Sequence, residues 1–273
     1  MIQEIYIDGK GNKILGNNPI LERSSVNFFG NNNILFCDDH VRLNGTTINF
    51  NGNNSLIFLG SCNKYNIDID IFNNSVIHIG KSSYFNKNLK VIISECKHCF
   101  IGDHCIFSAD VIIRNSDAHL IYTCDTKMRI NMTESIYIGD HVWIGQYVNI
   151  LKGTQIDSGS VIGASSVVAG KKIPHNTIWA GSPARQIKED IFWDKSCVHG
   201  FTEEMTEASM NYTDFLSKKI EGCQVDYWTY QYKEDETIEW STLEAVFSKG
   251  NCLDKCDFLI MMNSNRAKNR FVH

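Results

Sequence analysis

His119 is the residue whose type and setting most readily suggest chemistry. It lies in Arg114-Asn-Ser-Asp-Ala-His-Leu-Ile-Tyr122, two residues after Asp117, in a polar segment that continues through Thr133. An imidazole titrates near neutrality, so it can take a proton from a hydroxyl nucleophile. Taken alone, a histidine in a polar loop is more often a plain surface residue. No serine or cysteine stands with it in a recognisable nucleophile motif, which favours direct transfer over a covalent intermediate. Downstream, Trp143 is too large for a position that asks for a small side chain, unless it is a plain surface aromatic. Gly145 follows it, where a glycine admits close approach of a ligand and nearby backbone N–H groups can face an oxyanion. Gly163-Ala164-Ser165 is a run of small residues, and Lys171, Lys172, Arg185 and Lys188 gather after it. Such cations suit phosphates, or are solvated surface charges. Cys96-Lys-His-Cys99, with His104 and Cys105 nearby, has metal-ligand residue types but only partly ligand-like spacing, and no metal is expected.

The elements that must position these residues follow from a six-residue period. Stepping by six from Ile138 meets Ile144, Ile150, Ile156, Ile162 and Val168. Four residues after each comes Val142, Val148, Thr154, Ser160 and Ser166, until Lys172 breaks the rule. The phase recurs upstream at Ile101, Phe107 and Ile113, and at Ile79, Phe85 and Val91. Helices ask for spacings of three and four, and alternating strands for two. A period of six suits a coil with three short sides, one aliphatic per side pointing inward, with parallel ladders between stacked coils. The register lapses between Ile113 and Ile138, so the segment that contains His119 is a loop interrupting one coil.

The N-terminal part repeats more loosely, near every 20 residues, as in Gly30-Asn-Asn-Asn-Ile-Leu-Phe36 and Gly52-Asn-Asn-Ser-Leu-Ile-Phe58. These read as irregular coils of the same solenoid; unrelated strands of a sandwich are the alternative for 1–75. Asparagine makes up 18 of the first 90 residues, placed before apolar pairs where a turning chain wants the left-handed region. His104 and His141, each after Gly-Asp, read as coil corners. A net charge of −5 speaks against nucleic acid or anionic membrane as partner. The start of the sequence has no basic-then-apolar leader, and the longest apolar run is the five residues 258–262. A cytoplasmic protein whose ten cysteines are reduced is therefore expected.

Three stretches together resemble the left-handed β-helix hexapeptide-repeat acyltransferases. They are Ile136-Tyr-Ile-Gly-Asp-His-Val-Trp-Ile-Gly145, Ile162-Gly-Ala-Ser-Ser-Val-Val168, and Ile173-Pro-His-Asn-Thr-Ile-Trp-Ala-Gly-Ser-Pro-Ala-Arg185. Within that superfamily the chain is most similar to bacterial O-acetyltransferases of capsular and other surface polysaccharides. The resemblance implies an all-β left-handed parallel β-helix over 1–190, irregular over 1–99 and regular over 100–190, with the loop at 114–134. It implies acetyl-CoA as co-substrate and a glycan hydroxyl as acceptor. It makes His119 the general base and places Trp143 near the acceptor and the thioester. Gly145 and Ala164 then line the cofactor, and Lys172, Arg185 or Lys188 meets its phosphates. Where relatives have Thr-Lys-Asp before Ile-Pro, this chain has Ala169-Gly-Lys-Lys172, which leaves open the choice between Lys171 and Lys172. A homotrimer with shared sites is also implied. An N-acetyltransferase of a nucleotide-linked amino sugar, or a non-catalytic glycan-binding solenoid, are the alternatives.

Beyond about 190 the repeat ends. Residues 191–273 read as a small, mostly helical appendage, a cap on the end of the solenoid or a subunit contact. Helices are expected at Glu203–Met210, Thr213–Ile220, Glu239–Lys249 and Leu253–Asn269, with a strand-like aromatic run at Gln224–Tyr232. Leu253, Phe258, Leu259 and Met262 are expected to share an apolar face.

Overall fold

The computed structural model describes residues 3–217, 236–265 and 267–273. Three short strands make each turn of the chain, and each strand pairs in parallel with its counterpart one turn later. Face 1 runs from Lys13–Gly16 to Lys172–Ile173 in parallel. Face 2 begins with Ile20–Glu22, Val41–Asn44 and Cys62–Tyr65, then continues as a second sheet from Tyr84–Phe85 to Ile178–Gly181. Face 3 runs from Ser25–Phe28 to Val167–Val168. Antiparallel strands close both ends of the stack, Glu4–Ile7 on face 1 and Ala184–Lys188 on face 2. They cover ladder edges that would otherwise stay open to other chains.

The six-residue column is the core. Ile138, Ile144, Ile150, Ile156, Ile162 and Val168 are fully buried, and so are Val142, Val148, Thr154, Ser160 and Ser166. Ile138 pairs with Ile156 and Ile156 with Ile173, one residue sooner, which is why the spacing rule fails at Lys172. The N-terminal coils belong to the same stack. Asn32, Asn54 and Asn74 turn the edge from face 3 to face 1 with φ of 55°, 55° and 52°. Next to them a buried side-chain ladder replaces part of the backbone pairing. The Asn33 N–H donates to Asn12 Oδ1 at 3.0 Å, and the Ser55 N–H to Asn33 Oδ1 at 3.0 Å. Asparagine enrichment thus reflects both left-handed corners and this ladder.

From Ile34–Cys37 to Ile136–Ile138, face 1 is buried on both sides. Inward it contributes residues such as Leu35, Ile57, Ile77 and Cys99 to the core. Outward it stacks Phe36 on Phe58, Phe58 on His78 and His78 on Phe100, with ring centroids 4.4, 5.2 and 4.3 Å apart. The C-terminal region lies over this aromatic row. After α1 (Glu203–Ala208) and α2 (Tyr212–Ser217), α3 (Trp240–Phe247) and α4 (Cys252–Ser264) pack Trp240, Leu243, Phe247, Cys256 and Leu259 against it, and the strand Phe271–Val272 adds Phe271. Polar clamps fix the cover. The Arg270 guanidinium donates twice to Asp140 at 2.9 Å and lies 3.2 Å from Asp103; the Trp240 indole N–H donates to Asp157 at 2.9 Å.

The extension therefore runs along one side of the solenoid instead of capping its end. The buried stripe of α4 is Cys252, Lys255, Cys256, Leu259 and Met262, whereas Leu253 is exposed. The expected apolar face was rotated because Leu253 lies off the 3–4 spacing that Cys252 and Cys256 begin. The Asn251–Asp254 capping box starts this helix one residue earlier than expected, and Asn265, in extended backbone, ends it. The aromatic run Gln224–Tyr232 lies outside the described residues.

Candidate active site

The loop that contains His119 leaves the edge between faces 3 and 1, after the strand Ile112–Arg114 and before Ile136–Ile138. Its two roots are tied together. The Asn115 side-chain amide donates to the Ser94 carbonyl at 2.9 Å and to Thr133 Oγ1 at 3.1 Å, and the Thr133 hydroxyl donates to the Asn115 carbonyl at 2.6 Å. Further out, buried Asn131 holds the loop's interior. Its Nδ2 donates to the His119 carbonyl at 2.7 Å and to Asp117 at 3.1 Å, and its Oδ1 accepts from the Ile121 N–H at 3.0 Å. Arg129 reaches Glu95 through two hydrogen bonds of 2.7 and 2.9 Å. The His119 backbone is thereby fixed while its ring is exposed and makes no hydrogen bond among the described residues.

Asp117 does not orient His119 through its carboxylate. Lys152 donates to it at 2.7 Å, and the hydrogen bonds from Lys152 and Asn131 hold its carboxyl below the usual range. Asn115, Asn131, Thr133 and Lys152 were not read as site residues from the sequence. Those bonds span 10 to 35 positions along the chain, and no local pattern announces them.

Trp143 opens a strand on face 2 and points outward, 42% exposed. Its ring lies 6.0 Å from Trp193, which stacks on His141 at 3.9 Å and donates to the His141 carbonyl at 3.0 Å. Trp193 had no sequence signal. His104 and His141 are coil corners, with φ of 57° and 52°. The Gly145 N–H is engaged in the ladder, donating to the Ile162 carbonyl at 2.8 Å. A Cβ at Gly145 would stand 2.6 Å from the Ala164 nitrogen, so the close approach that demands glycine here is that of the next coil. Ala164 is exposed on the turn between faces 2 and 3, and Arg185 and Lys188 are exposed on the return strand beside face 2.

Lys172 stands elsewhere, on face 1. It lines a cleft of about 410 Å³ with Glu134, Gln155, Trp240 and His273. One chain thus presents two separate groups. His119, Lys152 and Lys172 lie at or beside the edge between faces 3 and 1. Trp143, Ala164, Arg185 and Lys188 lie on face 2 or its margin with face 3. In a three-sided coil that edge is opposite face 2, and no contact joins His119 to Trp143 among the described residues. Cys99 and Cys105 point into the core while Cys96 is exposed. Among the described residues no three His, Cys, Asp or Glu side chains are grouped to hold a metal.

Comparison with known proteins agrees with the fold. The family described as bacterial transferase hexapeptide (six repeats) matches residues 135–170. A polysialic acid O-acetyltransferase of Escherichia coli O1:K1 / APEC is 38% identical over 47% of this chain and 41% of its own length. A polysialic acid O-acetyltransferase of Neisseria meningitidis is 29% identical over 72% of this chain and 81% of its own. The crystal structure of the polySia specific acetyltransferase NeuO superposes with a TM-score of 0.61 at 31% identity, covering 73% of this chain and 90% of that one. The chain belongs to the left-handed β-helix hexapeptide-repeat acyltransferases, where it resembles the polysialic acid O-acetyltransferases.

Proposed function

We propose that this chain transfers an acetyl group from acetyl-CoA to a hydroxyl of an acidic surface polysaccharide. The observation that carries the reading is the His119 ring, free and exposed on a loop whose backbone is tied at both roots and in its interior. The names of the relatives supply the acceptor class. In the reaction, the acceptor hydroxyl gives its proton to His119 Nε2 or Nδ1 as its oxygen attacks the acetyl carbonyl. The tetrahedral intermediate then expels the thiolate of coenzyme A, which takes the proton back from the imidazolium. No acyl-enzyme forms. A positioned base of this kind supplies about 10²–10⁴-fold in rate.

Two copies complete the site in this reading. The edge of one copy brings His119 and Lys172, and face 2 of the next brings Trp143, Ala164, Arg185 and Lys188. Ala164, small and exposed, lies along the pantetheine arm, and the cations meet the phosphates. Gly145 keeps the coils close enough for Ala164 to form that surface. No helix among the described residues is long and apolar enough to cross a membrane.

The test is thiol release from acetyl-CoA with a panel of sialic acid polymers, neutral glycans and amino sugars, with products read by mass and NMR. An O-acetylated acidic glycan is the expected product. Turnover confined to amino-sugar nitrogens would overturn the acceptor assignment.

A further inference from the structure

A second cleft, of about 490 Å³, lies between the solenoid and the start of α4. One wall is the edge between faces 3 and 1, where Asn32, Asn54 and Asn74 stand one per turn; the other is Gly250, Leu253 and Lys255. Lys255 is the unusual member. It is only 6% exposed, yet its ammonium has no hydrogen bond or ion pair among the described residues. Burial pushes its pKa down. Its stem is buried while its ammonium reaches the solvent of the cleft, so an anion entering the cleft would meet an unpaired cation there. Of the other charges nearby, one is ion-paired and one is held by the helix cap. Lys13 reaches Glu4 at 2.7 Å, and Asp254 accepts the Asn251 N–H in the helix cap. The first turn of a 13-residue helix adds a favourable field for negative charge.

The cleft shares its edge with the catalytic loop. After Asn74 that edge passes Cys96 and then opens into the loop, with the turns about 4.8 Å apart. The cleft thus begins about 10 Å from the loop's root and extends away from it. Carboxamides suit sugar hydroxyls and N-acyl groups, and Lys255 suits a sugar carboxylate. We propose that this cleft is a remote subsite for the polymeric acceptor, gripping an acidic sugar several units from the hydroxyl that reacts. The proposal rests on the acceptor class given above, and it makes a long acidic chain a better substrate than a short one.

The test compares wild-type protein with Lys255→Met and with Leu253→Glu, which places an anion at the exposed mouth. Probes are a sialic acid polymer of more than 20 units, its trimer, a neutral dextran and inorganic phosphate, with binding measured by calorimetry in a His119→Ala background. The expected result is a loss of about tenfold or more in affinity for the long polymer in both variants. The KM for that polymer should rise by the same factor, while kcat and the KM for the trimer stay within about twofold. Unchanged polymer affinity in either folded variant overturns the subsite. So does equal, Lys255-dependent binding of phosphate, which would define a simple anion site. Lys255-dependent binding of the polymer without its acetylation would retain the subsite and remove the acceptor reading.

Discussion

A general base needs a fixed origin and a free ring, and His119 has both because Asn131, not Asp117, holds its backbone. Replacing the ring should leave the fold unchanged, since it makes no internal bond. His119→Ala is therefore expected to lower kcat by about 10²–10⁴-fold while the thermal midpoint stays within about 1 °C. Near wild-type turnover would remove His119 from the reaction. At this scale the sequence was readable where a residue departs from the local repeat. His119 stood in a lapse of the period, and Trp143 in a position too small for it. Asn131 and Trp193 were not readable, because each acts on a partner many positions away. Gly145 was readable as an obligatory glycine, but the neighbour that makes it so is Ala164 of the next turn.

Among the elements, the repeat was legible and the covering of face 1 was not. Phe36, Phe58, His78 and Phe100 recur at the coil spacing on the outward side, and that row signals a covered face. The extension that covers it has no periodic link to the row. Two consequences are measurable. Arg270 neutralises Asp140 and Asp103 where all three are buried. Arg270→Met should cost about 3–5 kcal/mol in urea unfolding, because two carboxylates stay behind unpaired. A loss under about 1 kcal/mol would show that the clamp is not closed in solution. The second consequence is acid sensitivity. His78 is buried neutral, donating from Nδ1 to the Ile101 carbonyl and accepting at Nε2 from Asn263. Burial lowers its pKa to about 3 and that of His98 to about 4. The unfolded chain, with ordinary imidazoles near 6.5, then binds more protons than the folded one below that pH. Stability falls as pH drops from 6.5 toward 4. Each ring withdraws about 2 kcal/mol between pH 7 and 5. Asp103, raised to about 6 by burial and by Asp140, works in the opposite direction and returns about 1 kcal/mol over the same interval. Net loss of stability between pH 7 and 5 is expected in urea titrations, and His78→Asn should flatten it.

The whole molecule explains why one chain presents its two groups of site residues on opposite parts of the coil. Face 1 is taken by the extension, so a second copy has faces 2 and 3 and the loop edge to pack against. That edge exposes Leu120, Ile121, Tyr122, Met128, Ile130 and Met132, an apolar surface poorly suited to water. Docking this edge onto face 2 of another copy is a heterologous contact. In the proposed trimer this contact closes into a ring of three copies, with no open edge. Each junction of that proposed trimer joins His119 of one chain to Trp143 of the next. Mixing His119→Ala protein with Trp143→Ala protein after reversible dissociation tests this directly. Each parent preparation is expected to be nearly inactive. In an equal mixture, chance pairing puts an intact His119 opposite an intact Trp143 at about one junction in four, so about a quarter of the wild-type rate should return. If His119 and Trp143 served the same site from one chain, every mixed site would still lack one of them and no activity would return. Sedimentation of the mixture decides the remaining case: a fully active monomer at working concentration would refute both the trimer and the shared site.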